Sequence, residues 1–319
     1  MGDLFKALSS GLARFVYAWI LPSILVVGAF TLVVLPRLTE APPSSVSLTG
    51  IAVFSFATIG LSVVFAYSSR PIYQFLEGYL MPAWLRRPLL RRSRRRYLRL
   101  RALASRSTGS QKLMAQEALK SYPEDLDLLL PTRLGNALRA MEDYGDTRYG
   151  LDSQTFWYEL QAVGNEKVVR STEETRASVD FFVSSLAHLA FLSLVAIACV
   201  PFASDPAPVA ILSAIALALT PLAYIQAVSG VGEWRWSVQA LVNTSRSQLA
   251  AAVGLTLPAT YGEERRMWVS LSGLVHSGPR DRYLAVLDAA RAKAPTTHSR
   301  PDGSDERSAS GSSSSAPGD

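Results

Sequence analysis

Cysteine is nearly absent. A single Cys199 excludes an internal disulfide and any cysteine-built metal cage. Histidine is almost as scarce. His188, His276 and His298 stand far apart, without the spacing of a metal site. Charge is sparse as well: Asp, Glu, Lys and Arg make up 18% of the 319 residues, against about a quarter in ordinary soluble domains. That shortage is concentrated in a few places, and its distribution decides the fold class.

Four windows carry no Asp, Glu, Lys or Arg. They hold 22 residues between Arg14 and Arg37, 29 between Glu40 and Arg70, 24 between Asp180 and Asp205, and 27 between Asp205 and Glu233. A helix needs about 20 apolar residues to cross the hydrocarbon layer. A charge at its centre costs about 2.5–3.5 kcal/mol on insertion scales. The windows therefore predict an all-α integral membrane protein with four transmembrane helices, at 15–36, 48–67, 181–202 and 209–229. Soluble helices are usually amphipathic, whereas the last two windows are apolar all round. The first window is too long for a signal-peptide core and no small-x-small cleavage site follows it, so it reads as an uncleaved anchor. Pro22 and Pro221 predict kinks inside spans 1 and 4. Tyr17, Trp19, Tyr67 and Tyr224 mark the interfaces. Rows of small residues (Thr58, Ser62 and Ala66; Ala210, Ala214 and Ala218) suit close helix packing.

Positive charge sets the orientation. Two basic residues precede span 1, one separates spans 1 and 2, 19 lie between spans 2 and 3, none between spans 3 and 4, and ten follow span 4. Basic loops stay on the cytoplasmic side. This places an N-terminal segment 1–14, a segment 68–179 and a segment 230–319 in the cytoplasm. Only the short links 37–47 and 203–208 lie outside. The sequon at Asn243 then falls on the cytoplasmic side and is no glycosylation acceptor. The reading is a multi-pass protein with both termini on the cytoplasmic side.

The segment 68–101 joins an aromatic stretch to RRPLLRRSRRRYLRLR, with nine arginines in 16 positions: Arg86, Arg87, Arg91, Arg92, Arg94, Arg95, Arg96, Arg99 and Arg101. Basic clusters beside a span bind anionic lipid headgroups at about 1 kcal/mol per residue. The competing reading is a topology signal with no further role. Nucleic acid is a weaker partner, because the inner leaflet is the polyanion at hand. Charge then reverses: residues 113–179 hold twelve acids and seven bases.

Segments 102–179 and 230–293 read as helical and folded, and 294–319 as a disordered tail poor in apolar residues. Ser121-Tyr-Pro-Glu124 and Thr260-Tyr-Gly-Glu263 fit capping boxes at helix starts. Leu128 to Leu130, Leu134, Leu138 and Met141 form an apolar stripe. A loop is expected over 142–152, a helix from Phe156, another from about Thr172 into span 3, and one running out of span 4 to about Val253. A last helix is expected over 280–293.

Chemical motifs are few. Glu142, Asp143, Asp146, Arg148 and Asp152 form a polar cluster that suits acid-base work or cation binding; acids and glycines are equally ordinary in a helix-joining loop. Gly230-Val-Gly232 lacks the strand a phosphate fingerprint needs. Cys199 reads as a packing residue. His188 is an ionisable group within a span. No in-span acid or base can partner it, so a neutral imidazole bonded to a neighbouring span is expected. No cofactor and no catalytic residue is assigned.

The stretches LPTRLGNALRAMEDYGDTRYGLDSQTFWYELQAV (130–163) and GLTLPATYGEERRMWVSL (254–271) resemble segments of uncharacterised four-span membrane proteins from high-GC, actinomycete-type bacteria. The excess of arginine over lysine fits that coding bias. The resemblance implies a plasma-membrane location and a four-span layout, and no activity. The leading expectation is a non-enzymatic scaffold or regulator that binds anionic lipid, a cytoplasmic protein or another copy of itself. An oligomeric channel, lined or gated by Thr58, Ser62, Pro22 and Pro221, is the alternative, and a membrane-bound enzyme the third.

Overall fold

The computed structural model describes residues 15–39 and 47–292. The fold is all-α, with four helices long and apolar enough to cross a bilayer. In chain order, α1 is Val16–Thr39, α2 Leu48–Tyr67, α3 Ser69–Glu77, α4 Ala83–Arg106, α5 Gly109–Leu119 and α6 Arg133–Glu142. Then follow α7 Tyr144–Tyr149, α8 Trp157–Val163, α9 Glu166–Cys199, α10 Pro206–Ala252, α11 Tyr261–Ser277 and α12 Asp281–Ala292.

Helix α1 is widened to π geometry at Val16–Ile20 and Phe30–Val34. Each wide turn lies just before a proline, Pro22 and Pro36. A proline has no N–H and its ring collides with the carbonyl four residues back. For Pro22 and Pro36 those carbonyls belong to Ala18 and Leu32, inside the two π turns. The extra residue per turn accommodates the rings.

Side-chain contacts fix the order of the spans. Tyr17 stacks on Phe181 at 4.7 Å between centroids, so spans 1 and 3 begin at the same end. At the other end Arg37 O accepts from Ser204 N at 2.8 Å and from Ser204 Oγ at 3.1 Å. Spans 3 and 4 are antiparallel and clasp through Ser193 and Ser213, each hydroxyl donating to the other's carbonyl at 3.1 and 2.9 Å. Phe65, at the end of span 2, stacks on His188 near the start of span 3. Lipid suits the outer faces: Leu32, Leu48, Phe56, Leu194 and Leu217 are all more than 60% exposed, far more contiguous apolar surface than a soluble monomer carries.

The helices that follow spans 2 and 4 gather at the end where spans 1 and 3 begin. Their core is Leu134, Leu138 and Met141 of α6, Leu160 of α8, Val179 and Val183 of α9, Val238, Leu241 and Leu249 of α10, and Met267 and Trp268 of α11. Helices α9 and α10 have 34 and 47 residues, about 50 and 70 Å of rise. A bilayer core takes about 30 Å. Their surplus runs on as the axis of this body.

Several boundaries differ from the sequence expectation. The Ser121–Glu124 box starts no helix. Tyr122 is buried against Tyr97, and the chain makes turns and a short 3-10 segment before Thr132 caps α6. Residues 144–149 are helical, with Gly150 in the left-handed region at φ 73° as the C-cap. Helix α9 starts at Glu166, six residues early, because Asn165 caps it by accepting from Lys167 N at 3.0 Å. The link before span 4 is shorter than expected: Asp205 caps and Pro206 already opens α10. Thr260 caps α11 as read, accepting from Glu263 N at 3.3 Å. The expectations for 1–14, for 40–46 of the first link and for the tail lie outside the described residues.

Candidate functional site

Helix α4 carries the arginine run. Leu90, Ser93, Tyr97 and Leu100 recur at helical spacing and turn one face inward. Tyr97 packs on Tyr122 and Leu129, and Ser93 Oγ accepts from Asn136 Nδ2 at 3.0 Å. The remaining faces hold Arg86, Arg87, Arg91, Arg92, Arg94, Arg95, Arg96, Arg99 and Arg101, every one exposed. Among the described residues no ion pair engages any of the nine. Trp84, 76% exposed, stands at the start of the helix.

Where α4 meets α5, α6, α7 and α10 the body leaves a half-open cavity of about 680 Å³. Arg101 and Tyr97 of α4 line it, as do Lys120 just after α5, Glu124, Asp143 between α6 and α7, Tyr144 and Arg148 of α7, and Arg235 and Trp236 of α10. Arg235 is 5% exposed. Its Nη1 donates to Lys120 O, and its Nη2 is 3.9 Å from Glu117 Oε1. Its Nε is buried with no partner. The Trp236 ring collects two cations, Lys120 Nζ at 5.1 Å and the Arg235 guanidinium at 5.3 Å, and Lys120 Nζ also pairs with Glu117 Oε2 at 2.6 Å. Asp143 Oδ2 is likewise buried with no partner.

The acidic cluster is not one site. Asp143 and Glu142 share Arg139, at 3.4 and 3.7 Å. Burial, only partly offset by Arg139, raises both carboxyls above their usual range. Glu77, at the end of α3, joins this group from outside the cluster. Burial and then repulsion from Glu142 push it up to about 7. Asp152 closes a turn, accepting from Gln154 N, Thr155 N and Thr155 Oγ1 at 3.0, 3.1 and 2.7 Å. Arg148 pairs with Glu124 at 3.5 Å, and Asp146 is exposed. No group of three His, Cys, Asp or Glu suited to a metal occurs among the described residues.

Within the membrane layer, His188 Nδ1 lies 2.8 Å from Ser184 O, which can only accept. The proton therefore sits on Nδ1; Nε2 lies 2.8 Å from Ser23 Oγ of span 1, whose hydroxyl also reaches Trp19 O at 2.9 Å. Thr58 and Ser62 are 4% and 0% exposed.

Sequence reasoning missed the cavity, the Glu77–Glu142 pairing and Ser23. The one available signal was a lone arginine between Trp234 and Trp236, just beyond a span. No family model, curated protein or solved structure matches the chain.

Proposed function

We propose that the chain is a multi-pass plasma-membrane protein of a bacterium, with both termini and its helical body in the cytoplasm. It acts as a non-enzymatic scaffold or regulator whose α4 lies against anionic lipid headgroups. The observation that carries this is the display on α4: nine exposed arginines unpaired among the described residues, one helix away from the end of span 2. The positive-inside rule supplies the side of the membrane, and the gathering of the charged helices at one end of the bundle agrees with it. The resemblance to four-span proteins of high-GC bacteria belongs to the same reading. The channel alternative loses support, since Thr58 and Ser62 face neighbouring spans within one chain and are not free to line a pore between copies.

The test uses the full chain in nanodiscs of phosphatidylcholine with and without phosphatidylglycerol. At about 1 kcal/mol per arginine, anionic lipid raises the unfolding midpoint by several degrees, and added salt removes the gain. Changing Arg91, Arg92, Arg94, Arg95 and Arg96 to Gln removes half of the gain or more. An undiminished gain in that variant overturns the proposal.

A further inference from the structure

Four large apolar side chains stand close together in sequence just beyond span 2: Phe75 of α3, Tyr79 and Leu80 in the turn after it, and Trp84 at the start of α4. They are 46%, 48%, 54% and 76% exposed. The turn that carries them is tightly made. Gln74 O accepts from Gly78 N, Tyr79 N and Leu80 N at 3.1, 2.8 and 3.2 Å. Gly78 lies so close to the Pro131 ring that a methyl there would collide with it. The fold therefore holds this apolar corner in the open.

A chain of contacts sets the depth of the corner. Helix α3 starts two residues after Tyr67, the end of span 2. In its middle Tyr73 OH donates to Asp180 Oδ1 at 2.7 Å, and Asp180 is the last charge before the uncharged window of span 3. At its end Glu77 O accepts from Thr132 Oγ1 at 3.4 Å. The next two residues, Arg133 and Leu134, donate their N–H groups to Tyr224 OH at 3.1 and 3.2 Å. Tyr224 falls within span 4 as read from the sequence. The start, middle and end of α3 are thus all held where the spans enter the body, so α3 runs along that boundary and does not leave it. Tyr79, Leu80 and Trp84 stand at the same depth, where a ring with one polar edge is favoured. Arg86 and Arg87 follow Trp84 within one turn, both exposed, placed for lipid phosphates beside an inserted ring.

We infer that the α3–α4 corner, residues 79–84, is a wedge inserted at the boundary between headgroups and acyl chains. Its partner is the bilayer itself, because the corner continues the lipid-facing surface at the ends of spans 2 and 4, where Tyr67, Leu222 and Ile225 are exposed. Burial of apolar area drives the insertion, so anionic lipid is not required. The inference rests on the membrane reading of the four spans and not on the binding of anionic headgroups by α4.

The experiment is spin labelling of the full chain in nanodiscs of phosphatidylcholine alone, in a Cys199→Ala background that removes the one native thiol. Labels at Leu80→Cys and Trp84→Cys are compared with Phe56→Cys on span 2 and Tyr158→Cys on α8. All four replaced side chains are exposed, so the fold is kept. The measured quantity is the ratio of label collisions with oxygen, which concentrates in lipid, to collisions with a nickel chelate, which stays in water. At Leu80→Cys and Trp84→Cys the ratio is expected to lie closer to that of Phe56→Cys than to that of Tyr158→Cys. A ratio like that of Tyr158→Cys puts the corner in water and overturns the inference. Weak collision with both reagents means that protein covers the corner, a second copy included, and overturns it too. A lipid ratio at Phe56→Cys beside either result leaves the span reading standing while the wedge fails; a water ratio at Phe56→Cys removes both.

Discussion

Glu77→Gln is the perturbation whose outcome the structure defines most closely. Glu77 ends α3 and is half-buried where α3 packs on α6, with Thr132 Oγ1 on its carbonyl at 3.4 Å. Burial, and next the charge of Glu142, raise its carboxyl from 4.5 to about 7, while Arg139 pulls the other way. The folded state thus holds a proton that the unfolded chain gives up near pH 4.5. Below that pH both states are protonated and the side chain carries no electrostatic penalty. As pH rises from about 4.5 to about 7 the unfolded chain ionises first, and stability falls across that window. The full shift corresponds to about 3.4 kcal/mol at 1.36 kcal/mol per pH unit. Solvent around the exposed part screens it, which leaves about 1–2 kcal/mol. Glutamine has no proton to lose. The variant should therefore match wild type at pH 4.5 and exceed it by about 1–2 kcal/mol at pH 8. Thermal unfolding in neutral detergent, followed by tryptophan fluorescence at pH 4.5, 6, 7 and 8, measures the difference directly. A variant-minus-wild-type difference that stays flat over that range, or that shrinks with rising pH, refutes the reasoning.

Gly150→Ala should destabilise the body by about 1–3 kcal/mol in the same assay, since φ is 73° and the new methyl would lie 2.8 Å from both Arg265 O and Val269 Cγ2. An unchanged midpoint would show that α7 and α11 do not pack as described. A double-mutant cycle of Ser193→Ala with Ser213→Ala should return a coupling of about 0.6 kcal/mol, the usual worth of a hydrogen bond between spans. A coupling of zero would mean that the two hydroxyls do not meet.

The spans were legible because a bilayer acts on local composition. Span 2, expected at 48–67, is Leu48–Tyr67, bounded by Ser47 as a cap and by Ser68 where the helix breaks. The long helices were legible only in part. Nothing local marks where spans 3 and 4 leave the apolar layer, so the start of α9 hung on a single capping asparagine. The loop expected over 142–152 shows a different limit. Its glycines were read as turn residues, yet Gly150 caps α7, and a methyl at Gly145 would lie 2.5 Å from Leu151 O. They let the chain fold tightly on itself while staying helical. The cavity was out of reach for a stronger reason. Arg235 donates to Lys120 O across 115 residues, and no spacing rule links positions so far apart.

The length of α10 bears on what such a protein can transmit. Ser213, which ties span 4 to span 3, and Arg235, which faces the cavity, lie on one unbroken helix, about 33 Å apart at 1.5 Å per residue. Val179 and Val183 continue α9 into the core that holds α10, so the pair leaves the membrane already packed. A hinge would need a break in one of these helices. Both run unbroken from the bilayer layer into the body; the one proline inside α10 is Pro221, above the cavity. The tie between spans 3 and 4 at Ser213 and the placing of Arg235 in the cytoplasmic-end body are therefore set by one continuous helix.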